Sequence, residues 1–152
     1  MPVPPSDPFN LQRFVDAQEA SYARALHELR AGRKRTHWIW YILPQVQGLG
    51  LSAMSMRYAI CSLAEAQAYL ANPVLGNRLR ECVKELNSLE DLTVVQVLGD
   101  IDTVKFRSCL TLFAQASPSE PIFSEALKRH FGGQPDQATL EVLARQEGKS
   151  AA

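Results

Sequence analysis

The sequence predicts an all-α fold, a single compact domain of six or seven short helices. Three observations support this prediction: apolar residues recur at helical spacing along most of the chain, no series of alternating strand-like segments is present, and no Asn-Gly hairpin turn occurs. The 152 residues, 46% hydrophobic and 21% charged, suit one domain with one core. We therefore expect an irregular lead-in over 1–8, a helical domain over 9–147 and a flexible tail over 148–152.

The N-terminal part predicts one long helix followed by an aromatic turn. Four of the nine prolines fall within 1–8, which argues against regular structure there. Apolar residues over 11–29 recur at spacings of three, four and seven, and they predict a helix with Asn10 as its N-cap and Gly32 as its stop. The stretch 37–42 predicts one or two further helical turns, because Pro44 disfavours helix at the residue before it.

Capping patterns predict the later helices. Ser62 with Glu65 predicts a capping box at the start of a helix that ends near residue 71, and Asn72 before a proline predicts the start of the next one. The stretch LTVVQVL, 92–98, is open to two interpretations, a short helix or a strand, because it is rich in β-branched residues. The remaining predicted helices cover 102–116 and 119–131, and a last one begins at Asp136.

Charge and composition exclude several classes of protein. Sixteen Lys and Arg balance sixteen Asp and Glu, so no overall field attracts nucleic acid or an anionic membrane. No apolar run approaches the roughly 20 residues that span a bilayer. The N-terminus lacks the pattern of a signal peptide, and the three cysteines show no CxxC spacing. We expect a cytoplasmic protein with reduced thiols, no metal site, no cofactor and no membrane contact.

The stretch HWIWYILPQVQGLGLS, 37–52, is the first candidate site. It holds both tryptophans, and one interpretation is that its aromatic residues are simply core. In the other interpretation the tryptophans stack on a ligand, two glutamines, Gln45 and Gln47, contact a base or ribose edge, and the glycine-rich part binds a phosphate. The residues then expected to contact the ligand are His37, Trp38, Trp40, Gln45, Gly48, Gly50 and Ser52. Upstream, the basic run 33–35 is either a solvated helix end or a rim that attracts an anionic ligand.

The helix predicted over 102–116 carries the second candidate site. Asp102, Lys105 and Cys109 share one of its faces by their spacing, and Ser108 is expected to touch the ligand. Asp102 and Lys105 either form an ordinary surface ion pair or act as catalytic residues. In the second interpretation Lys105 binds an anion or acts as an acid or base beside Asp102.

Four blocks of the chain together resemble the bacterial DUF1810 family, over about Asp7 to Leu143. The family is uncharacterised, and the resemblance implies a compact all-α domain. The name calpastatin, sometimes attached to this family, does not fit, because calpastatin-type inhibitors are long, disordered and repetitive. The blocks are THWIWYILPQVQGLGLSAMSMRYAI, LAEAQAYLANPVLGNRLREC, DTVKFRSCLTLF and HFGGQPDQATLEVL.

Two positions depart from the family pattern. Asn72 stands where the family usually has a histidine, and Cys109 stands where it usually has a second serine after Ser108. A mechanism that needs that histidine or that hydroxyl would not operate in this chain.

A more distant resemblance is to the NADAR proteins, small helical enzymes that act on ribosyl N-glycosidic bonds. Its elements are the aromatic block 38–41, the basic stretch 73–78 and the lysine-centred helix 102–113. The resemblance implies a phosphate-containing, nucleotide-like or ADP-ribose-like small molecule as ligand and hydrolysis as the reaction. The alternative is a module that binds a ligand or a partner protein without catalysis.

Overall fold

The computed structural model describes residues 6–151, and side chains over 6–148. Residues 1–5 of the predicted lead-in and Ala152 of the predicted tail lie outside the described residues. Within this range the chain forms helices joined by short connections, which confirms the predicted all-α class. In chain order the helices are α1 Gln12–Glu19, α2 Tyr22–Arg30, α3 Ile39–Ile42, α4 Ala53–Arg57, α5 Leu63–Ala71, α6 Leu75–Asn87, α7 Val94–Leu98, α8 Asp100–Ala116, α9 Pro121–Phe131 and α10 Gln137–Ala151.

The ten helices found over 6–151 exceed the predicted six or seven. One reason is that the predicted helix over 11–31 is two helices, α1 and α2, separated by Ala20 and Ser21. The break lets α1 pack on α3 while α2 packs on α6, which one straight helix would not do. At the other end α10 continues to Ala151, into the segment for which the sequence predicts a flexible tail.

The cap of α1 also differs from the prediction. Asn10 does not cap the helix; it adopts the left-handed conformation with φ 52°. Leu11 occupies the N-cap position, and the two carboxylate oxygens of Asp7 accept hydrogen bonds from the backbone N–H groups of Leu11 (2.8 Å) and Gln12 (2.9 Å). Asp7 therefore satisfies two of the amides that a helix start leaves without partners.

The stretch that left helix and strand open forms the helix α7. Thr93 and Gln96 make a reciprocal capping box, in which each side chain accepts a hydrogen bond from the other residue's backbone N–H. Val94, Val97 and Leu98 are buried against the core. The cap and this burial outweigh the preference of the β-branched residues for a strand.

Helix α8 forms the centre of the core and packs against α5, α7, α9 and α10. Its buried residues include Phe106 and Phe113, both completely shielded from solvent. None of the helices over 6–151 is long and apolar enough to span a membrane.

A loop over 46–60 lies in the chain between α3 and α5. Val46 and Ile60 close it as an isolated parallel bridge. Two backbone hydrogen bonds of 2.9 Å hold the bridge, from the N–H of Gln47 to the carbonyl of Ile60 and from the N–H of Ile60 to the carbonyl of Gln45. The loop contains α4 and forms one wall of the cleft described next.

Candidate ligand-binding cleft

A cleft of about 930 Å³ opens beside α1. Residues 8–10 and Arg13 form one side, the 46–60 loop forms another, and Val142, Arg145 and Gln146 of α10 close the third. Gln146 connects α10 to the segment that follows the 46–60 loop, because its side-chain amide donates to the carbonyl of Cys61 at 2.9 Å.

Four of the predicted ligand-binding residues line this cleft: Trp40, Gln45, Gly48 and Gly50. The two glycines shape the loop in different ways. Gly48 has φ +92°, which disfavours any other residue, while a Cβ on Gly50 would lie 2.5 Å from the Ser55 hydroxyl oxygen. The glycine-rich half of the first candidate stretch therefore belongs to the cleft wall.

The other predicted residues of the 37–52 stretch lie outside the cleft lining. His37 is exposed away from it. Ser52 caps α4 as expected, accepting a hydrogen bond from the backbone N–H of Ser55 at 3.1 Å. Helix α4 has only five residues, so its dipole is too small to support the predicted phosphate site.

Trp38 is a core residue and not a wall of the cleft, being 1% exposed. Its indole N–H donates to the Glu28 carboxylate at 3.0 Å, and Glu28 also accepts from the Thr36 hydroxyl and from the backbone N–H groups of Arg35 and Thr36. Burial raises the pKa of Glu28, but these donors outweigh it and lower that pKa from 4.5 to about 2. Glu28 is thus ionised, and its four hydrogen bonds hold the segment 35–38 against α2.

The predicted catalytic pair of Asp102 and Lys105 is not found. Asp102 forms its ion pair with Lys34 at 2.8 Å, and both side chains are largely buried, 17% and 7% exposed. Lys105 lies over the ring of Trp40, with its Nζ 5.2 Å from the ring centroid. Neither Asp102 nor Lys105 lines the cleft, but Lys105 contacts Trp40, which does.

Ser108, predicted to bind the ligand, supports the fold instead. It is 2% exposed, and its hydroxyl donates to the carboxylate of Asp136 at 3.1 Å. The same carboxylate accepts from the backbone N–H and the hydroxyl of Thr139, which confirms Asp136 as the cap of α10. Ser108 therefore joins α8 to the start of α10.

Arg13 is the most heavily bonded residue of the cleft, and sequence patterns did not single it out. All five of its N–H donors are used, at 2.7 to 2.9 Å, so none is free for a ligand. This clamp fixes α1 to the end of the 46–60 loop and to α5. The acceptors are the carbonyls of Phe9, Asn10, Arg57 and Ala59 and the carboxylate of Glu65.

Two other arginines give the cleft its charge. Arg57 and Arg145 are exposed, and among the described side chains neither has a carboxylate within 4.0 Å. Glu65 is the one acidic residue of the lining, and its charge is matched by Arg13 at 2.9 Å. The cleft therefore carries two uncompensated positive charges.

The Cys61 thiol in the lining has a raised pKa. Partial burial raises its pKa, and a hydrogen bond and the negative charge of Glu65 raise it further. The thiol thus stays protonated at neutral pH, and the thiolate is the reactive form. In the part of the chain that is described, no group of three or more His, Cys, Asp and Glu residues is placed to hold a metal ion.

The fold and the cleft together define a small all-α domain with a cationic surface cleft. The chain belongs to the family described as "Protein of unknown function (DUF1810)", whose model matches residues 8–143. The conserved hypothetical protein Rv1873 from Mycobacterium tuberculosis has a similar crystal structure, with a TM-score of 0.89 and 45% identity over 91% of this chain and 99% of that one. No curated protein matches the chain.

The two departures from the family pattern have structural roles here. The side-chain oxygen of Asn72 accepts hydrogen bonds from the backbone N–H groups of Val74 (2.9 Å) and Leu75 (3.1 Å), as expected of a cap. Cys109 is completely buried in the core. Neither residue lines the cleft.

Proposed function

We propose that the cleft binds a nucleotide-like anionic small molecule, of which ADP-ribose is the model ligand. The observation that carries the proposal is the pair of uncompensated arginines, Arg57 and Arg145, at a cleft whose single carboxylate is already neutralised. Arginine side chains without a carboxylate partner are well suited to the phosphate oxygens of such a ligand, because their planar donors match them in pairs.

The rest of the lining fits the same ligand class. The volume of about 930 Å³ lies at the upper end of the range typical of small-molecule sites. Trp40 offers an aromatic surface, and the exposed or half-exposed amides of Gln45 and Gln47 offer donors and acceptors for a base or ribose edge. The more distant resemblance to NADAR proteins points to the same kind of ligand.

The geometry favours binding over hydrolysis of a ribosyl N-glycosidic bond. Hydrolysis of that kind calls for an available acid or base beside the bond. Asp102 is held by Lys34, and Glu65 is held by Arg13 and by the backbone N–H of Cys61. The proposal is therefore a binding protein, with the reaction as a separate point to test.

A second candidate function is binding of a partner protein at the mouth of the cleft. Leu51 and Met56, on the 46–60 loop, are 90% and 66% exposed and both line the cleft. Exposed apolar side chains beside a cationic surface are typical of interaction sites. In this case the same arginines would contact acidic groups of the partner.

Isothermal titration calorimetry with ADP-ribose tests the proposed function. We expect the substitutions Arg57→Gln and Arg145→Gln each to weaken binding by roughly tenfold or more, because each removes a charge-assisted contact. The control is Arg24→Gln, which removes an exposed arginine of α2 outside the cleft and should leave the affinity unchanged.

Other outcomes separate the candidates. If ADP-ribose, NAD and inorganic phosphate all fail to bind the native protein, the small-molecule proposal is wrong and the partner-protein candidate gains. If ADP-ribose binds equally well to both cleft variants, it binds elsewhere. Chromatography of the incubated ligand then shows whether a glycosidic bond is cleaved.

A further inference from the structure

The two tryptophans of this protein each carry a lysine over the indole ring. Lys34 Nζ lies 5.0 Å from the ring centroid of Trp38, and Lys105 Nζ lies 5.2 Å from that of Trp40. We call these arrangements the first and the second Trp–Lys pair. Both contain the same two donor groups, an indole N–H and an ammonium, and the ammonium lies at nearly the same distance from the ring centroid in each.

In the first pair both donors have a carboxylate partner. The indole N–H of Trp38 donates to the carboxylate of Glu28 at 3.0 Å, and the ammonium of Lys34 contacts the carboxylate of Asp102 at 2.8 Å. Lys34 also donates to the carbonyl of Thr36 at 2.6 Å. Each donor of this pair thus has an oxyanion of the protein as its partner.

The second pair has no acceptor of any kind over the described side chains, 6–148. The indole nitrogen of Trp40 is buried and is the one buried side-chain polar atom there without a hydrogen-bond partner. Lys105 is half-buried, has no carboxylate within 4.0 Å and makes no side-chain hydrogen bond. A buried donor without a partner costs free energy, so the second pair favours an acceptor that the chain itself does not supply.

The position of the second pair indicates where that acceptor comes from. Trp40 lines the cleft, whereas Trp38 does not. The first pair shows that carboxylate groups satisfy these two donors in this protein. Lys105, which has no ion pair within 4.0 Å, adds a positive charge beside the Trp40 ring and so favours an anionic acceptor over a neutral one.

We propose that Trp40, in the cleft lining, and Lys105, over its ring, together form an oxyanion subsite, which takes a carboxylate or phosphate group of the ligand. The inference rests on the proposed function in that it assigns a second anionic contact to the same cleft, separate from Arg57 and Arg145. The preferred ligand then carries anionic or acceptor groups that reach both the arginines and Trp40.

Proton–nitrogen NMR of the indole groups tests this subsite directly. With two tryptophans, the protein gives two indole N–H signals, and Trp40→Phe identifies which belongs to Trp40. Acetate, inorganic phosphate and ADP-ribose are titrated separately. We expect a saturable downfield shift of the Trp40 signal, because its N–H gains an acceptor, and no shift of the Trp38 signal, which already has one.

Variants of Lys105 provide the second readout. Lys105→Gln should weaken anion binding, as followed by the shift of the Trp40 signal, by roughly tenfold or more. Lys105→Arg keeps the charge and should retain most of the affinity. The matched control is Lys128→Gln, an exposed lysine of α9 outside the cleft, which should respond like the native protein. A response to acetate alone assigns the subsite to carboxylates, and one to phosphate alone assigns it to phosphates.

The failures of the two proposals are distinguishable. If ADP-ribose binds through Arg57 and Arg145 while no probe shifts the Trp40 signal, the subsite is refuted and the proposed function stands. If acetate or phosphate shifts the signal and ADP-ribose does not bind, the subsite stands and the ligand class is wrong. A shift that persists unchanged in Lys105→Gln also overturns the subsite.

Discussion

The first and the second Trp–Lys pair contain the same residue types, and their tryptophans are two positions apart in the chain, yet only in the first pair do protein carboxylates bind both donors. Trp38 is the non-helical residue that precedes α3, whereas Trp40 is the second residue of that helix, and their side chains have different surroundings. Trp38 therefore faces Glu28 in the core, whereas Trp40 faces the cleft.

The comparison shows that the surrounding residues decide whether a Trp–Lys pair stabilises the fold or keeps its donors available to a ligand. In the first pair, Glu28 and Asp102 convert the donors into a fixed connection between α2, the segment 34–38 and α8. In the second pair the same donors lack partners, so they contribute little to folding and remain available for a ligand. Changes to the first pair should reduce stability, and equivalent changes to the second should not.

The largest effect is expected at Glu28. Its folded pKa is lowered from 4.5 to about 2, so its contribution to stability is fully present above pH 4.5 and is lost as the pH falls through about 2. A shift of that size corresponds to about 3 kcal/mol. We expect Glu28→Gln to lower the free energy of unfolding by about that amount at pH 7, because an amide cannot accept all four hydrogen bonds.

Urea denaturation at several pH values measures this effect. The difference between native protein and Glu28→Gln should shrink steadily from pH 5 towards pH 2, because the native carboxyl also becomes neutral. Glu90→Gln, at an exposed glutamate, serves as the control and should match the native protein at each pH. A difference that is constant with pH would show that Glu28 is not an ionised acceptor in the fold.

The next effect compares the two tryptophans themselves. Trp38→Phe removes a hydrogen bond to a charged group and leaves a gap in the core, so we expect a loss of roughly 2 to 3 kcal/mol in the free energy of unfolding. Trp40→Phe also removes ring atoms, but it eliminates an unsatisfied buried N–H, and the two effects offset each other to within about 1 kcal/mol. Urea denaturation of both variants tests this. Equal losses would mean that Trp40 is as structural as Trp38.

The sequence predicted the helical class because periodic apolar residues are a local signal. It did not predict the break between α1 and α2, because that break depends on distant partners. The side-chain amide of Gln18 donates to the carbonyl of Tyr41 at 2.7 Å, and the hydroxyls of Ser21 and Tyr41 lie 3.0 Å apart. No pattern within 11–31 reveals these contacts.

The candidate site shows the same limit. Trp40, Gln45, Gly48 and Gly50 were predicted as a group and do line the cleft, because they are close together in the chain. The pairing of Asp102 with Lys105 was wrong, since helical spacing cannot show that Lys34 approaches from another segment. Arg57 and Arg145 were missed for the corresponding reason, because only the fold places α10 opposite the 46–60 loop.

The smallest effect concerns the two lysines and gives the most direct comparison of the pairs. Lys34→Met leaves Asp102 without its cation. Because Asp102 keeps 17% exposure, we expect a loss of about 2 kcal/mol in the free energy of unfolding, less than the roughly 3 to 5 kcal/mol of a fully buried pair that loses one partner. Lys105→Met keeps an unbranched apolar side chain against Trp40 and removes no ion pair, so a change of at most about 0.5 kcal/mol is expected. Thermal and urea unfolding measure both variants, with Lys128→Met as the exposed control. If Lys105→Met proves as destabilising as Lys34→Met, the second pair is part of the structural framework and its donors are not available to a ligand.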